Sequence, residues 1–415
     1  MAGLPESQVV HPADLPDSDA LLARFKALDQ FLLTHRQLWR PTPFSERQLG
    51  WEARHPELAC WLRSRSLQEA EAAHNQPERL DAPAPFPAIA QQAAALSQLP
   101  PLARRPRPVG NPRLAVDVPG RKWQQIEAFG SCLQFREEPT HWLDWCAGKG
   151  HLGRFLAHQH GMLSCLELDA GLVKCGQQLS DRLQIAARHI QQDVLREEAA
   201  THLDAALTPV ALHACGDLHV RLLQLASAAE CRQLAIAPCC YNRTASEHYQ
   251  ALSAPAGASA LQLRRSDLRL LQCETVTAGQ RIRRQRDQSM ARRLGFDLLQ
   301  REVRGVDEYL PTPPLAAGWL QRPYADYCAE LARLKHLELG QGHDWQTLET
   351  AGWQRLACVR NLELLRALFR RPLELWLLLD RALYLQAAGY DVRLGAFCEA
   401  SLTPRNLMLL AERTG

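Results

Sequence analysis

The chain has 415 residues, 48 of them basic and 45 acidic, for a net charge of +3, and 46% of it is hydrophobic. That length exceeds one average domain and can bury a large core, and the apolar share is ordinary for a globular protein. The net charge is too small to argue for nucleic acid by itself, and no apolar run approaches a membrane span, since Leu373–Leu385 is broken by Glu374, Asp380 and Arg381.

The N-terminal stretch MAGLPESQVVHPADLPDSD is rich in proline and acid and lacks the basic start and apolar core of a signal peptide, so a cytoplasmic location is expected. Residues 17–39 predict an amphipathic helix, with Leu21, Leu22, Phe25, Leu28, Phe31 and Leu32 on one stripe and Asp17 or Ser18 as its cap. A second helix is expected over 57–74, closing a helical N-terminal region at 1–81. Residues 82–119 carry nine prolines and read as a linker holding one short helix near 88–98.

From Gly120 the pattern changes. The segment GRKWQQIEAFGSCL predicts a helix that leads into a short apolar run, Trp142–Trp145. That run ends in a glycine turn, Asp144-Trp145-Cys146-Ala147-Gly148-Lys149-Gly150, and a helical pattern follows through Leu152, Phe155 and Leu156. Strand, glycine turn and helix open a nucleotide-sized crevice in an α/β sheet, because a glycine lets the backbone approach a ligand with no Cβ in the way. A second apolar run from Met162 ends at Glu167, where a carboxylate can accept hydrogen bonds from two ribose hydroxyls. Asp169 is placed to cap the next helix. A third run, Ala187–Ile190, leads to Asp193, positioned for an adenine edge. A fourth, Pro209–Ala214, ends in His213, Cys215, Gly216 and Asp217. A fifth, Leu234–Ala237, ends in Pro238-Cys239-Cys240-Tyr241-Asn242. Five runs alternating with helices, each with polar residues at its C-terminal end, predict a doubly wound sheet with a ligand along its carboxyl edge.

These residues resemble the class I S-adenosylmethionine-dependent methyltransferases. DWCAGKG is similar to their first motif, with Cys146 where most members have the first glycine. LHACGDL (212–218), APCCYN (237–242) and the tail LLLDRALYLQAAGYDVRLGAFCEASLTPRNLMLLAER (377–413) resemble a subset that includes the methyltransferase-like 25 and glutathione S-transferase C-terminal domain-containing families. The resemblance implies a Rossmann-like seven-stranded α/β sheet whose cofactor is S-adenosyl-L-methionine. It places Asp144, Cys146, Ala147, Gly148, Gly150, Glu167, Asp193 and His213 against that cofactor. His213 and Asp217 become the proton acceptors, and Cys239, Cys240 and Tyr241 the wall of the acceptor pocket, Tyr241 able to stack on a base.

The end of the chain then makes topological sense. Asp391–Phe397 and Leu407–Ala411 read as strands around a proline turn, and resemble the sixth and seventh strands of that sheet. The core strands one to five would occupy 120–242, a mostly helical insertion 243–386, and the final two strands 387–415. Ordinary connections are a few residues long, so an insertion of this length must carry its own structure.

Thirteen cysteines and no C-x-x-C argue against a zinc ribbon, and adjacent Cys239 and Cys240 make a poor disulfide, so free thiols and no metal centre are expected. A cysteine nucleophile would need a neighbour that lowers its pKa, and the sequence identifies none. Residues 264–304 hold eleven arginines against five carboxylates, and 102–122 hold five arginines and Lys122 against Asp117. Such clusters suit phosphate contacts and make RNA the expected methyl acceptor. The chain's bias of 43 arginines to five lysines leaves open a protein or small-molecule acceptor, or a non-catalytic cofactor-binding scaffold.

Overall fold

The computed structural model describes residues 18–105, 112–158, 161–272 and 279–414. The N-terminal stretch 1–17 with its cap candidate Asp17, and Pro106, Arg107 and Pro108, lie outside the described residues. The described chain forms two compact units, one from residues within 1–30, 98–272 and 374–415 and the other from 31–97 and 273–373.

The first unit is built on seven strands: β1 (His141–Trp145), β2 (Met162–Glu167), β3 (Ala187–Gln191), β4 (Thr208–Cys215), β5 (Gln233–Cys239), β6 (Tyr390–Ala396) and β7 (Leu407–Arg413). Their order across the sheet is β3-β2-β1-β4-β5-β7-β6. β1 to β5 are parallel, and β7 runs antiparallel between β5 and β6, with Tyr390 opposite Arg413 and Ile236 opposite Leu409. The seven-stranded Rossmann-like sheet expected from the sequence is therefore present. β5 is buried along its whole length, as its uninterrupted apolar run requires of a central strand. β3, which reads ARHIQ, is only half-buried, as suits an edge. The chain leaves β1 in one direction toward β2 and β3 and returns on its other side as β4 and β5. The crevice at that reversal is where ligands enter sheets of this kind.

Helices Gly120–Cys132 and His151–Ala157 share a core with the sheet: Ile126, Phe129, Leu152, Phe155 and Leu156 pack with Leu163, Val210, Met408 and Leu410. The ring of Trp123 meets Phe155 edge-on at 5.4 Å. The tail helix, Arg370–Ala387 before β6, contributes Asp380 and Arg381, both fully buried.

Between β5 and β6 the described residues hold helices and no strand. Part of this insertion belongs to the second unit, where helices Gln280–Arg304 and Trp345–Ala367 pack through Ala291, Leu294, Leu356 and Val359. N-terminal residues join the same unit: Asn361 donates to the carbonyls of Arg65 and Ser66 at 3.0 and 3.1 Å. The single helix expected over 57–74 is two, Pro56–Ser64 and Leu67–Ala73. Ser66 and Glu69 form a capping box: the Glu69 N–H donates to Ser66 Oγ at 3.2 Å, and the Ser66 N–H to Glu69 Oε2 at 2.8 Å. That reciprocal pair satisfies orphan donors of a new helix start and breaks the longer one. Among the described residues no helix is long and apolar enough to cross a membrane.

Candidate active site

The glycine turn after β1 is held from two sides. Asp144 is 3% exposed and accepts the Gly153 N–H at 2.8 Å, which pins the start of helix His151–Ala157. Burial pushes its carboxyl up to about 6, against the pull of that hydrogen bond and of Arg154 and Lys122. Glu167 accepts the Gly148 N–H at 2.8 Å on one oxygen and the Asp169 N–H at 3.1 Å on the other. The acidic end of β2 is thereby fixed beside the turn. Gly150 caps the helix at φ 71°, and a Cβ there would lie 2.5 Å from the His189 ring, so only glycine fits. At Gly148, also left-handed, a Cβ would meet nothing within 4 Å, so open space lies above the turn.

Three non-glycine residues at the carboxyl ends of the central strands also have left-handed backbones: Cys146 at φ 57° after β1, His213 at 73° in β4 and Cys240 at 43° after β5. Such conformations each cost about 1–3 kcal/mol, and they cluster where function holds them. Cys146 stands where the resembled family has glycine, and it keeps the backbone a glycine would adopt. Its thiol is pushed up to about 12 by burial, then by the fields of Glu167, Asp144, Cys215 and Asp193. The structure thus gathers the ends of β1, β2, β3 and β4 around one thiol. Asp193 itself accepts the Leu195 N–H at 3.0 Å and lies 3.5 Å from Arg196. Ala147 sits in the turn, its N–H donating to the Leu166 carbonyl at 2.9 Å.

β4 is irregular between Leu212 and Cys215, and the irregularity turns His213 outward. His213 is open to solvent, yet protein surrounds it closely enough that desolvation lowers its pKa, helped by Lys122 and Arg405. It therefore lines a recess. Its Nε2 lies 2.7 Å from Gln125 Oε1, and the Gln125 amide donates to the Leu402 carbonyl at 3.3 Å. Lys122 belongs to the basic segment 102–122 and Arg405 to the proline turn before β7, both marked in the sequence, whereas Gln125 carried no signal beyond its place on the helix before β1.

Asp217 opens helix Asp217–Ala228, and its Oδ2 accepts the Ala245 N–H at 2.8 Å, tying down the loop after β5. Cys239 is buried, and its Sγ is 3.4 Å from that of Cys215 on β4. Cys240 joins them. Hydrogen bonds from Cys215 and Cys239, with Arg405 and Arg243 nearby, lower its thiol pKa, while those of Cys239 and Cys215 rise. Tyr241 is 3% exposed. The Arg381 guanidinium lies 4.9 Å from its ring centre, and His219 meets it edge-on at 5.7 Å. The ring that the sequence offered to a base is buried and packed by these two side chains.

Residues 121–247 are similar to a protein family described as a methyltransferase domain, a match that spans the glycine turn, Glu167, Asp193 and both cysteine motifs but less than a third of the chain. No curated protein matches the chain. The crystal structure of coclaurine N-methyltransferase bound to N-methylheliamine and SAH is 10% identical and covers 84% of this chain and 90% of that one, with a TM-score of 0.26, too loose a likeness to support an argument. That family match places a methyltransferase domain on the sheet unit, across β1 to β5, and makes the chain an enzyme.

Proposed function

We propose that the chain moves a methyl group from S-adenosylmethionine to an acceptor in RNA, seated at the carboxyl ends of β4 and β5. The observation that carries this reading is the convergence of Cys146, His213 and Cys240, all strained, on one crevice whose cationic neighbours are Lys122, Arg243 and Arg405.

The residues fit the cofactor. The open space above Gly148 is a cradle that a Cβ would fill. Each oxygen of Glu167 accepts one backbone N–H and keeps a lone pair for a hydroxyl. Glu167, Asp193, Cys146 and the turn Ala147–Gly150 would hold the cofactor, which supplies a methyl group already activated on a sulfonium. The chain's part is to align the acceptor and take its proton. His213 is suited to the proton. The Gln125 amide is oriented by Leu402, so Oε1 faces the ring and His213 Nε2 carries the hydrogen. Nδ1 is then the free base, and the lowered pKa keeps it unprotonated at neutral pH. Asp217 spends one oxygen on Ala245 and holds the loop that carries Cys240.

Glu167→Ala is expected to weaken S-adenosylmethionine binding by about 1–3 kcal/mol, the scale for hydrogen bonds to a charged group. Calorimetry checks this. No binding by the unaltered chain would remove the methyltransferase reading, and equal binding by the variant would remove Glu167 from the site.

RNA affinity is expected to fall with salt, because bound cations release about 0.7–0.9 counterions per phosphate. Charge reversal at Lys122 and Arg405 should flatten that slope by about 1 each, as read in filter-binding titrations at several salt concentrations. One observation favours the rival, a protein or small-molecule acceptor. Much of the arginine-rich segment is engaged within the second unit: Arg283 with Glu71 at 3.0 Å, Arg292 with Glu349 at 2.9 Å, and Arg301 with Asp297 at 2.9 Å. Equal, weak and salt-insensitive RNA binding by both proteins would select that rival.

A further inference from the structure

We propose that Cys215, Cys239 and Cys240 form a binding site for a thiophilic metal ion of the Zn2+ type, with three protein ligands and one open position. The three Sγ atoms lie within 4.8 Å of one another. A tetrahedral ion with metal–sulfur bonds of about 2.3 Å needs its sulfurs about 3.8 Å apart. The Cys215–Cys239 separation of 3.4 Å and the limit on the others bracket that value, so small side-chain shifts complete the site.

The backbone is bent to achieve this grouping. Cys215 and Cys239 are cross-strand partners in parallel β4 and β5. Successive side chains on a strand point to opposite faces, so Cys240 would ordinarily face away from Cys239. Its left-handed φ of 43° breaks the alternation and returns its thiol to the same point. Cysteines that merely fill a core need no such strain.

A divalent ion would stabilise all three thiolates at once. The −1 charge left by three thiolates and a dication is met by Arg243 and Arg405. Among the described residues no fourth His, Cys, Asp or Glu atom joins the group. Thiolate-rich sites select zinc and similar soft ions, and a site with three protein ligands keeps its fourth position for water or a donor atom of another molecule. Cys215 and Cys240 are half-buried, so such a ligand can reach the ion. Cys215 and Cys239 sit on different strands, so no C-x-x-C spacing marks the set in the sequence.

The test uses the full chain, stripped of metal and kept reduced. Titration with Co2+ is expected to give thiolate-to-metal charge-transfer bands and the intense visible bands of a tetrahedral site, saturating at one equivalent and lost on adding one equivalent of Zn2+. Cys240→Ser should weaken Zn2+ binding more than ~100-fold, beyond the 10–100-fold typical of losing an outer partner. Cys175→Ser, at an exposed thiol elsewhere, should leave it unchanged. Circular dichroism of each variant separates a lost ligand from a lost fold, and Cys215→Ser serves as a second variant if Cys240→Ser unfolds. An unaltered chain without charge-transfer bands, or a folded Cys240→Ser that binds Zn2+ as tightly as the unaltered chain, overturns the proposal. S-adenosylmethionine binding is measured separately on the metal-free chain, so failure of the methyltransferase reading leaves this result standing.

Discussion

Arg381→Met is expected to cost about 3–5 kcal/mol, the scale for leaving a buried charge uncompensated. Arg381 is 2% exposed. It donates through Nε to His219 Nε2 at 2.8 Å, and through its terminal nitrogen to the Tyr249 hydroxyl at 3.0 Å and the Leu377 carbonyl at 2.7 Å. Its neighbour Asp380 accepts the Tyr249 hydroxyl, the Ser253 N–H and Oγ at 2.7 Å each, and the Leu252 N–H at 3.0 Å. Burial and the field of Arg381 keep His219 neutral, so its Nδ1–H donates to Ala214 O at 3.0 Å while Nε2 accepts. Arg381 therefore links the tail helix to the end of β4, one residue before Cys215, and its guanidinium packs on Tyr241. Methionine fills the volume but leaves Asp380 as a buried charge without its cation. The expected result is a lower urea midpoint for the sheet unit, with weaker S-adenosylmethionine binding as the carboxyl edge loosens. A loss below about 1 kcal/mol would show that water or a shifted side chain replaces the network.

What the sequence made legible was local. The glycine turn, Glu167, the two cysteine motifs and the strand pair at the chain's end each carry their signal in a few adjacent residues, through period and turn chemistry. The count of seven strands came from resemblance, and nothing in the spacing says that β7 enters between β5 and β6. Contacts across long separations stayed hidden. His213 meets Gln125 across 88 residues, and Cys215 meets Cys239 across 24. The same distance effect governs the arginine-rich segment, which reads as a phosphate surface only while its partners Glu71 and Glu349 are out of view. The break at Ser66 was legible, because Ser-x-x-Glu marks a helix start, but the apolar pattern running through it outweighed the signal. Strain was illegible altogether. Cysteine and histidine give no hint in one dimension that they occupy a left-handed backbone, and at Cys146, His213 and Cys240 that conformation brings the site together.

Gly216→Ala is expected to be the most damaging single-methyl change at the carboxyl edge, costing more than about 4 kcal/mol, where only a few named mechanisms reach. Two effects add. Gly216 has φ 54° and ψ −123°, a conformation that side chains strongly resist. A Cβ there would also lie 1.7 Å from the Arg243 carbonyl oxygen, and backbone cannot swing aside as a side-chain tip can. That oxygen is no bystander: it accepts the Asp217 N–H at 3.1 Å, while the Arg243 N–H donates to the Cys240 carbonyl at 2.9 Å. Pushing Arg243 away would pull Asp217 from Ala245 and release Cys240 from the turn that holds its thiol beside the other two. The expected outcome is a lower melting temperature, loss of S-adenosylmethionine binding and faster alkylation of Cys239, which the intact edge buries. Gly257→Ala is the matched control, since a Cβ there meets nothing within 4 Å and its backbone is helical. It should match the unaltered chain or exceed it slightly, because alanine favours a helix over glycine. If Gly216→Ala melts with the control and its cysteines alkylate no faster, the loop after β5 is pliant enough to yield, and the strained geometry at Cys240 is not what fixes the three thiols.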